Sequence, residues 1–345
     1  MRRPSSVLSL FKVLLIIFLL DAPTSMALQF FGARKPSPTT QSPGVSLVTW
    51  NLEWLVSLDD YPKLLARCDT LGQPDSDQWR FPCDGDHALP PKRSQADIAE
   101  LAHIAEGLAG SIVAIQEVDG PLAAAQIFPA NSWTLACFTQ RKHPQKLGFA
   151  LPKGVPYQCN DELATLDIDG KTRAGADITL WPNTPQSLRL LNVHLKSGCF
   201  AGPLFKKGPC LALRSQVPKV EDWIDRQVAH QQPFVVLGDF NRRMEKDAQY
   251  PAGSDERAPT SMFAAWHDDQ PTGALLLRAT ALMADIPCSP LSPYTQGAID
   301  NILVSAGWAA RFSQQQARRI TYSAEQAKRY HLSDHCPLVL SMRNF

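Results

Sequence analysis

The chain has 345 residues, 44% of them hydrophobic and 19% charged, with a formal net charge of +1. That is ordinary globular composition, enough to bury a substantial core as one large α/β domain or two smaller ones. The near-zero charge balance counts against a globally basic polyanion binder, so any affinity for nucleic acid has to come from a local surface.

Along the chain, residues 1–27 read as an export signal. A basic start (Arg2, Arg3) precedes a compact apolar run over 13–20, and Ser25-Met26-Ala27 offers small residues at the cleavage positions. The run is too short to anchor a chain across a bilayer, so cleavage is expected, an uncleaved tether being the alternative. Cleavage removes Arg2, Arg3, Lys12 and Asp21 and moves the formal net charge from +1 to −1. The mature protein is expected to be secreted or periplasmic, with no stable membrane association and a monomer the favoured state. The eight cysteines all follow residue 27, which suits disulfides in an oxidising compartment. Proximity favours Cys68–Cys83, Cys137–Cys159 and Cys199–Cys210. Cys288–Cys336 is the remainder, unless Cys336 is a buried free thiol.

Residues 28–44, rich in Pro, Ser, Thr and Gln, read as a flexible lead-in, and a single catalytic domain is expected over 45–345. Within it, short apolar runs alternate with helical patterns, the mark of an α/β domain. Strands are predicted at 46–51, 112–116, 133–138, 178–181, 188–194, 234–237, 299–304 and 338–342. Ser94 is placed to cap a helix, with Asp97 closing a carboxylate variant of the capping box and Ile98, Leu101, Ala105 and Leu108 forming the apolar stripe. A second helix carries Val217, Val220, Ile224 and Val228 on one face, with Pro218 expected in its first turn. Residues 56–93 and 243–290 read as long, irregular insertions.

Several predicted strands end in polar groups suited to metal or phosphate chemistry. Asn51 and Glu53 follow the first, Gln116-Glu117 the second, and His194-Leu195-Lys196-Ser197 another. Gly238-Asp239-Phe240-Asn241 follows a fourth, and Ser333-Asp334-His335 precedes the last. Ligands bind beyond the carboxyl ends of strands in α/β sheets, so these groups can meet in one cleft. Taken singly, each also reads as a cap, a turn or a core histidine. Asp300 is harder to set aside, because a carboxylate inside an apolar strand needs a partner or a cation.

The ordered segments Thr49-Trp50-Asn51-Leu52-Glu53, Ile115-Gln116-Glu117-Val118, Asn192-Val193-His194-Leu195-Lys196-Ser197, Gly238-Asp239-Phe240-Asn241, Ile299-Asp300-Asn301-Ile302-Leu303 and Ser333-Asp334-His335-Cys336-Pro337 resemble those of the endonuclease/exonuclease/phosphatase superfamily, in particular exported bacterial members with a deoxyribonuclease-like pattern. The resemblance implies a four-layer α/β sandwich, two central mixed β-sheets packed face to face and flanked by helices. It implies Mg²⁺, with Mn²⁺ or Ca²⁺ as alternatives, held by Glu117 with Asn51, Asp334 and Glu53. His194, Asp239, Asn241, Asp300 and His335 would form the catalytic set, His335 being oriented by Asp300. The general base would be Asp239 or His335.

His194 matches deoxyribonucleases and sphingomyelinases. Arg173, Asn241, Lys196 and Arg242 are candidate substrate contacts, with Arg173 readable also as a solvated loop charge. Lys142, Lys146, Lys206, Lys207 and Arg243 would extend them into a basic rim along a phosphate backbone. The expected activity is non-specific hydrolysis of DNA, with RNA as a further substrate, by in-line attack of an activated water. The alternative is a sphingomyelinase-like or other small-substrate phosphoesterase.

Overall fold

A computed structural model of the chain describes residues 45–70, 91–140, 144–205, 208–251, 259–283, 286–292 and 298–342. The expected signal and lead-in lie outside them, as do Cys83 of the expected Cys68–Cys83 bond, Lys142, Lys206 and Lys207. In chain order the elements are β1 (Ser46–Leu55), α1 (Tyr61–Thr70), α2 (Gln95–Glu106), β2 (Ile112–Val118), α3 (Pro121–Ala124), β3 (Trp133–Ala136), β4 (Lys146–Pro152), β5 (Tyr157–Cys159), β6 (Ala176–Leu180) and β7 (Leu188–His194). They continue with α4 (Pro209–Ala229), β8 (Phe234–Asp239), α5 (Met244–Asp247), α6 (Met262–Trp266), β9 (Leu276–Arg278), β10 (Asp300–Ser305), β11 (Phe312–Arg319), α7 (Ala324–Arg329) and β12 (Leu338–Met342).

Two six-stranded mixed sheets result, ordered β11-β12-β1-β2-β4-β3 and β5-β6-β7-β8-β10-β9. The parallel pairs β1–β2 and β7–β8 lie at the sheet centres, and their neighbours run antiparallel. Strand alternation explains the layering. Leu47 of β1 and Leu188, Leu190, Val235 and Leu237 of β7 and β8 face the space between the sheets. Val48 and Trp50 point the other way, against Ile98, Leu101 and Ala105 of α2. Leu191, Val193 and Val236 turn outward to meet Leu213, Val217, Val220 and Ile224 of α4. The four-layer sandwich expected from the motifs is therefore the observed architecture.

The capping box of α2 forms as expected, Ser94 Oγ accepting from Asp97 N while Asp97 accepts from Ser94 N. Pro218 corrects an expectation: α4 spans 21 residues and Pro218 lies inside it. The helix begins earlier, at Pro209, and its long buried face outweighs the cost of one interior proline. β4 escaped prediction because Gly148 interrupts its apolar pattern. A Cβ there would lie 2.7 Å from the Phe138 ring, so the glycine admits the aromatic against the strand.

The sheets are tied together by polar groups as well as by apolar ones. Gln116 Nε2 of β2 donates to Asn192 Oδ1 of β7 at 2.7 Å, and Asn192 Nδ2 donates to the carbonyls of Ile115 and Gly148 at 3.0 and 2.9 Å. All are buried and satisfied, which fixes the sheets in one register. Disulfides join Cys137–Cys159, Cys199–Cys210 and Cys288–Cys336. The first links a segment following β3 to β5 and so crosses between the sheets. Cys336 is bonded, not a free thiol.

Candidate active site

The carboxyl-terminal ends of β1, β2, β7 and β8 open on one cavity of about 480 Å³. At three of these ends, those of β1, β2 and β8, the backbone enters the left-handed region. Glu53 and Trp54 in the last residues of β1, Glu117 in β2 and Asn241 after β8 all adopt positive φ, between 44° and 58°. Left-handed backbone at non-glycine residues costs about 1–3 kcal/mol each and persists where surrounding contacts impose it. Here those contacts belong to the site itself.

Asp239 is its centre. The carboxylate is almost fully buried. Its Oδ1 accepts from Asn241 N at 2.7 Å, and its Oδ2 accepts from Asn51 Nδ2 at 3.1 Å and Asn241 Nδ2 at 3.3 Å. The Nε2 atoms of His194 and His335 lie 3.4 and 3.8 Å from Oδ2. Burial pushes Asp239 up to about 7, with Asp300 and Glu117 adding to the rise and His335 opposing it.

Asp300 has the partner its position demanded. Both carboxylate oxygens lie at His335 Nδ1, at 2.9 and 3.0 Å, which leaves Nε2 facing Asp239. Burial works against a charged ring, yet Asp300, Asp239 and Asp334 outweigh it and hold His335 well above the ordinary histidine value. The Ser333–His335 turn is braced from three sides. Ser333 Oγ donates to Asn51 O, Asp334 N donates to Glu53 Oε2, and the Tyr322 hydroxyl donates to His335 O.

Glu117 accepts from Asn51 Nδ2 at 3.3 Å and Trp54 N at 3.2 Å, with His194 Nε2 at 3.6 Å. Asn51 thus turns its amide nitrogen to both carboxylates, while its oxygen accepts from Glu53 N. Glu53 lines a neighbouring cavity of about 360 Å³, which shares Asp334 with the first. Burial and then Asp334 push Glu53 up to about 7, against the pull of Arg93. Arg93 went unnoticed in the sequence. Its buried guanidinium donates to the carbonyls of Glu53, His331 and Leu332, clamping β1 to the Ser333–His335 turn.

The expected substrate contacts divide. Arg173 and Asn241 line the cavity. Arg173 donates Nη2 to Leu195 O at 3.2 Å, and its Nε has no hydrogen-bond partner. Lys196 does not line it, and its ammonium caps Ser197 O. Arg242 corrects an expectation: fully buried, it is ion-paired with Asp247 and bonded to the carbonyls of Cys199 and Gly202. That guanidinium is a structural post with no donor left for a phosphate. Arg243, the next residue, lines the cavity instead. Lys146 pairs with Asp119 at 2.9 Å. Arg319 also lines the cavity, its Nε and Nη2 buried without partners. It sits at the end of β11, a strand the sequence pattern did not reveal, so its direction could not be read.

No protein-family model matches the chain, and no curated protein sequence does. Solved structures do. The crystal structure of TDP2 from C. elegans is 14% identical over 88% of this chain and 76% of its own, with a TM-score of 0.52. A truncated Caenorhabditis elegans TDP2 gives 16% identity, 88% and 98% coverage, and 0.50. An endonuclease/exonuclease/phosphatase family protein from Bacteroides thetaiotaomicron gives 13%, 87% and 97%, and 0.47. The chain shares its two-sheet α/β fold with the TDP2 structures.

Proposed function

We propose that the chain is an exported, divalent-metal-dependent phosphodiester hydrolase acting on nucleic acid, with DNA as its first substrate. The observation that supports this most is the meeting, in one cavity, of Asp239, Glu117, His194 and the Asp300–His335 pair with Arg173, Arg243 and Arg319. A reaction that develops negative charge beside an activated water uses both kinds of group.

The residues suit a hard cation. Glu117 and Asp334 offer carboxylate oxygens to this cavity and Glu53 to the one beside it, while Asp239, Asp300 and His335 bring ligand atoms within 4.8 Å of one another. When bound, such an ion supplies Lewis-acid stabilisation to the phosphoryl oxygens. Asn51 in this arrangement steadies Glu117 and Asp239 through its amide nitrogen.

The protein's own groups then divide the work. Asp239, held by Asn241 and Asn51, accepts the proton of the attacking water. His335, kept charged by Asp300, directs Nε2–H at the developing negative charge, which makes it a poor base and favours Asp239 for that role. His194 Nε2 stands beside Asp239 and Glu117, placed to donate to a phosphoryl or leaving oxygen. Arg173 holds a phosphate in place.

Purified mature protein is expected to degrade linear and plasmid DNA with Mg²⁺ and to stop when EDTA is added. Intact DNA beside active sphingomyelin hydrolysis would move the assignment to the lipid-directed alternative. The role of His335 has its own test. Asp300→Asn removes the charge that raises the ring, so the proton leaves His335 at lower pH. The alkaline limb of the kcat–pH profile should therefore move to lower pH, and an unmoved limb would exclude His335 as the proton-bearing group.

Export is proposed on residues 1–27 together with the disulfides, which suit an oxidising compartment. Among the described residues no helix is long and apolar enough to cross a membrane. N-terminal sequencing should find the mature chain starting near Leu28, and native protein should resist alkylation at its paired cysteines until reduced.

A further inference from the structure

Among the described residues, six of the eight exposed large hydrophobic ones lie near two disulfides, Phe200, Phe205 and Leu211 by one and Leu282, Ile286 and Leu291 by the other. Two of these, Phe200 and Ile286, also line the cavity that holds Asp239 and His335, although they are 41% and 39% exposed.

Phe200 is held where it is. Cys199 beside it is bonded to Cys210. The buried Arg242 donates Nη1 to Cys199 O at 3.0 Å, and Arg243 N donates to Phe200 O at 3.0 Å. An aromatic ring on a loop pinned in this way cannot fold down into the core. The same backbone bond sets Arg243 next to it, and Arg243 Nε is buried, faces no hydrogen-bond acceptor and belongs to a side chain lining the same cavity. Ile286 and Pro287, fixed by the bonded Cys288, form a further apolar part of the wall.

We infer that Phe200 and Arg243 form a nucleotide subsite beside the scissile phosphate, with the ring stacking on an unpaired base and the guanidinium taking an adjoining phosphate. This rests on the nuclease reading above and adds the strand state of the substrate. Bases within a duplex already have their faces stacked on neighbours, so a side chain can stack on a base only in a single strand, at a frayed end or after extrusion. The substrate class is single-stranded or unpaired nucleic acid. The pairing of an aromatic face with an unsatisfied cation inside one cavity favours a nucleotide over a lipid surface, which would need only apolar contact.

The test uses mature protein with Mg²⁺ and three substrates: a labelled single-stranded oligonucleotide, its duplex, and a fully abasic tetrahydrofuran–phosphate oligomer. Wild type should prefer the single strand. Phe200→Ala should lower kcat/KM on it by about 5- to 100-fold, chiefly through KM, the range expected for one stacked base. Phe200→Trp should restore it, and Phe200→Ala should match wild type on the abasic oligomer. Because Phe200 is exposed, thermal midpoints should be unchanged. Equal cleavage of single strand and duplex with no effect of Phe200→Ala would overturn the subsite and leave the nuclease reading standing. Equal losses on abasic and base-bearing strands would overturn it too. If no oligonucleotide is cut while sphingomyelin vesicles are hydrolysed, the nuclease reading fails and the subsite with it.

Discussion

Asp239→Asn should lower turnover by about 10²–10⁴-fold while leaving the protein folded and, without divalent ion, more stable. The amide keeps the shape and an acceptor for Asn241 N, which the carboxylate now serves at 2.7 Å. It gives up the two longer bonds from the Asn51 and Asn241 amides, a smaller loss than the gain from removing a buried charge. It cannot take a proton from water, and loss of a positioned general base lowers rates by about 10²–10⁴-fold. The stability effect has the opposite sign. Asp239 is pushed up to about 7 in the fold, above its ordinary value, first by burial. A carboxylate raised on folding opposes the folded state once pH exceeds its unfolded value, and the opposition is complete above its folded value. Removing the charge at pH 8 in EDTA should therefore raise the urea midpoint. An inactive variant with a lowered midpoint would mean that Asp239 holds the structure together and that the rate loss reports damage to it.

Gly238→Ala should be worse for the protein than any single change of a charged site residue. Gly238 has φ +142°, and a Cβ there would lie 2.0 Å from the carbonyl oxygen of Val193. That atom is backbone of the neighbouring central strand, so no rotamer relieves the contact. β8 must part from β7, and because His194 pairs in register with Asp239, the separation also takes the site apart. A loss beyond about 4 kcal/mol is expected, in the range reserved for overpacking a core or forcing a special backbone conformation. Gly154→Ala is the control. Gly154 also has positive φ but nothing within 4 Å of its Cβ position, so strain alone should cost about 1–2 kcal/mol. Urea denaturation of the two variants separates the effects, and similar losses in both would refute the backbone-contact argument.

The central strands were legible because their apolar runs are continuous and end in polar groups. β1, β2, β7, β8, β10 and β12 all formed where alternation or a buried run indicated. Asp300 was legible for a different reason: an acid within an apolar strand announces a partner, and His335 is there at 2.9 Å. What stayed hidden depends on contacts between distant segments. β11 carries Gln, Ser and Arg at a sheet edge, so nothing in its composition marks a strand or points Arg319 into the cavity. Arg242 and Arg243 are adjacent and chemically identical, yet one is sealed against Asp247 and the other lines the cavity. Only the course of the chain after β8 distinguishes them. Arg93 sits in a segment read as insertion, and its clamp on the Ser333–His335 turn spans a separation of more than two hundred residues.

β1 lies between β2 and β12, so the first sheet joins a strand starting at Ser46 to one ending at Met342. During synthesis β1 can find β2 early, but the other edge of β1 waits for residues made nearly three hundred positions later. His335 arrives in the same late stretch, immediately before β12. Any nascent chain that stops short of it has Glu117, His194 and Asp239 but no Asp300–His335 pair, and an open edge where that half of the cavity should be. The proposed site is thus complete only after β12 has been made, because His335 immediately precedes it and Asp300 opens β10.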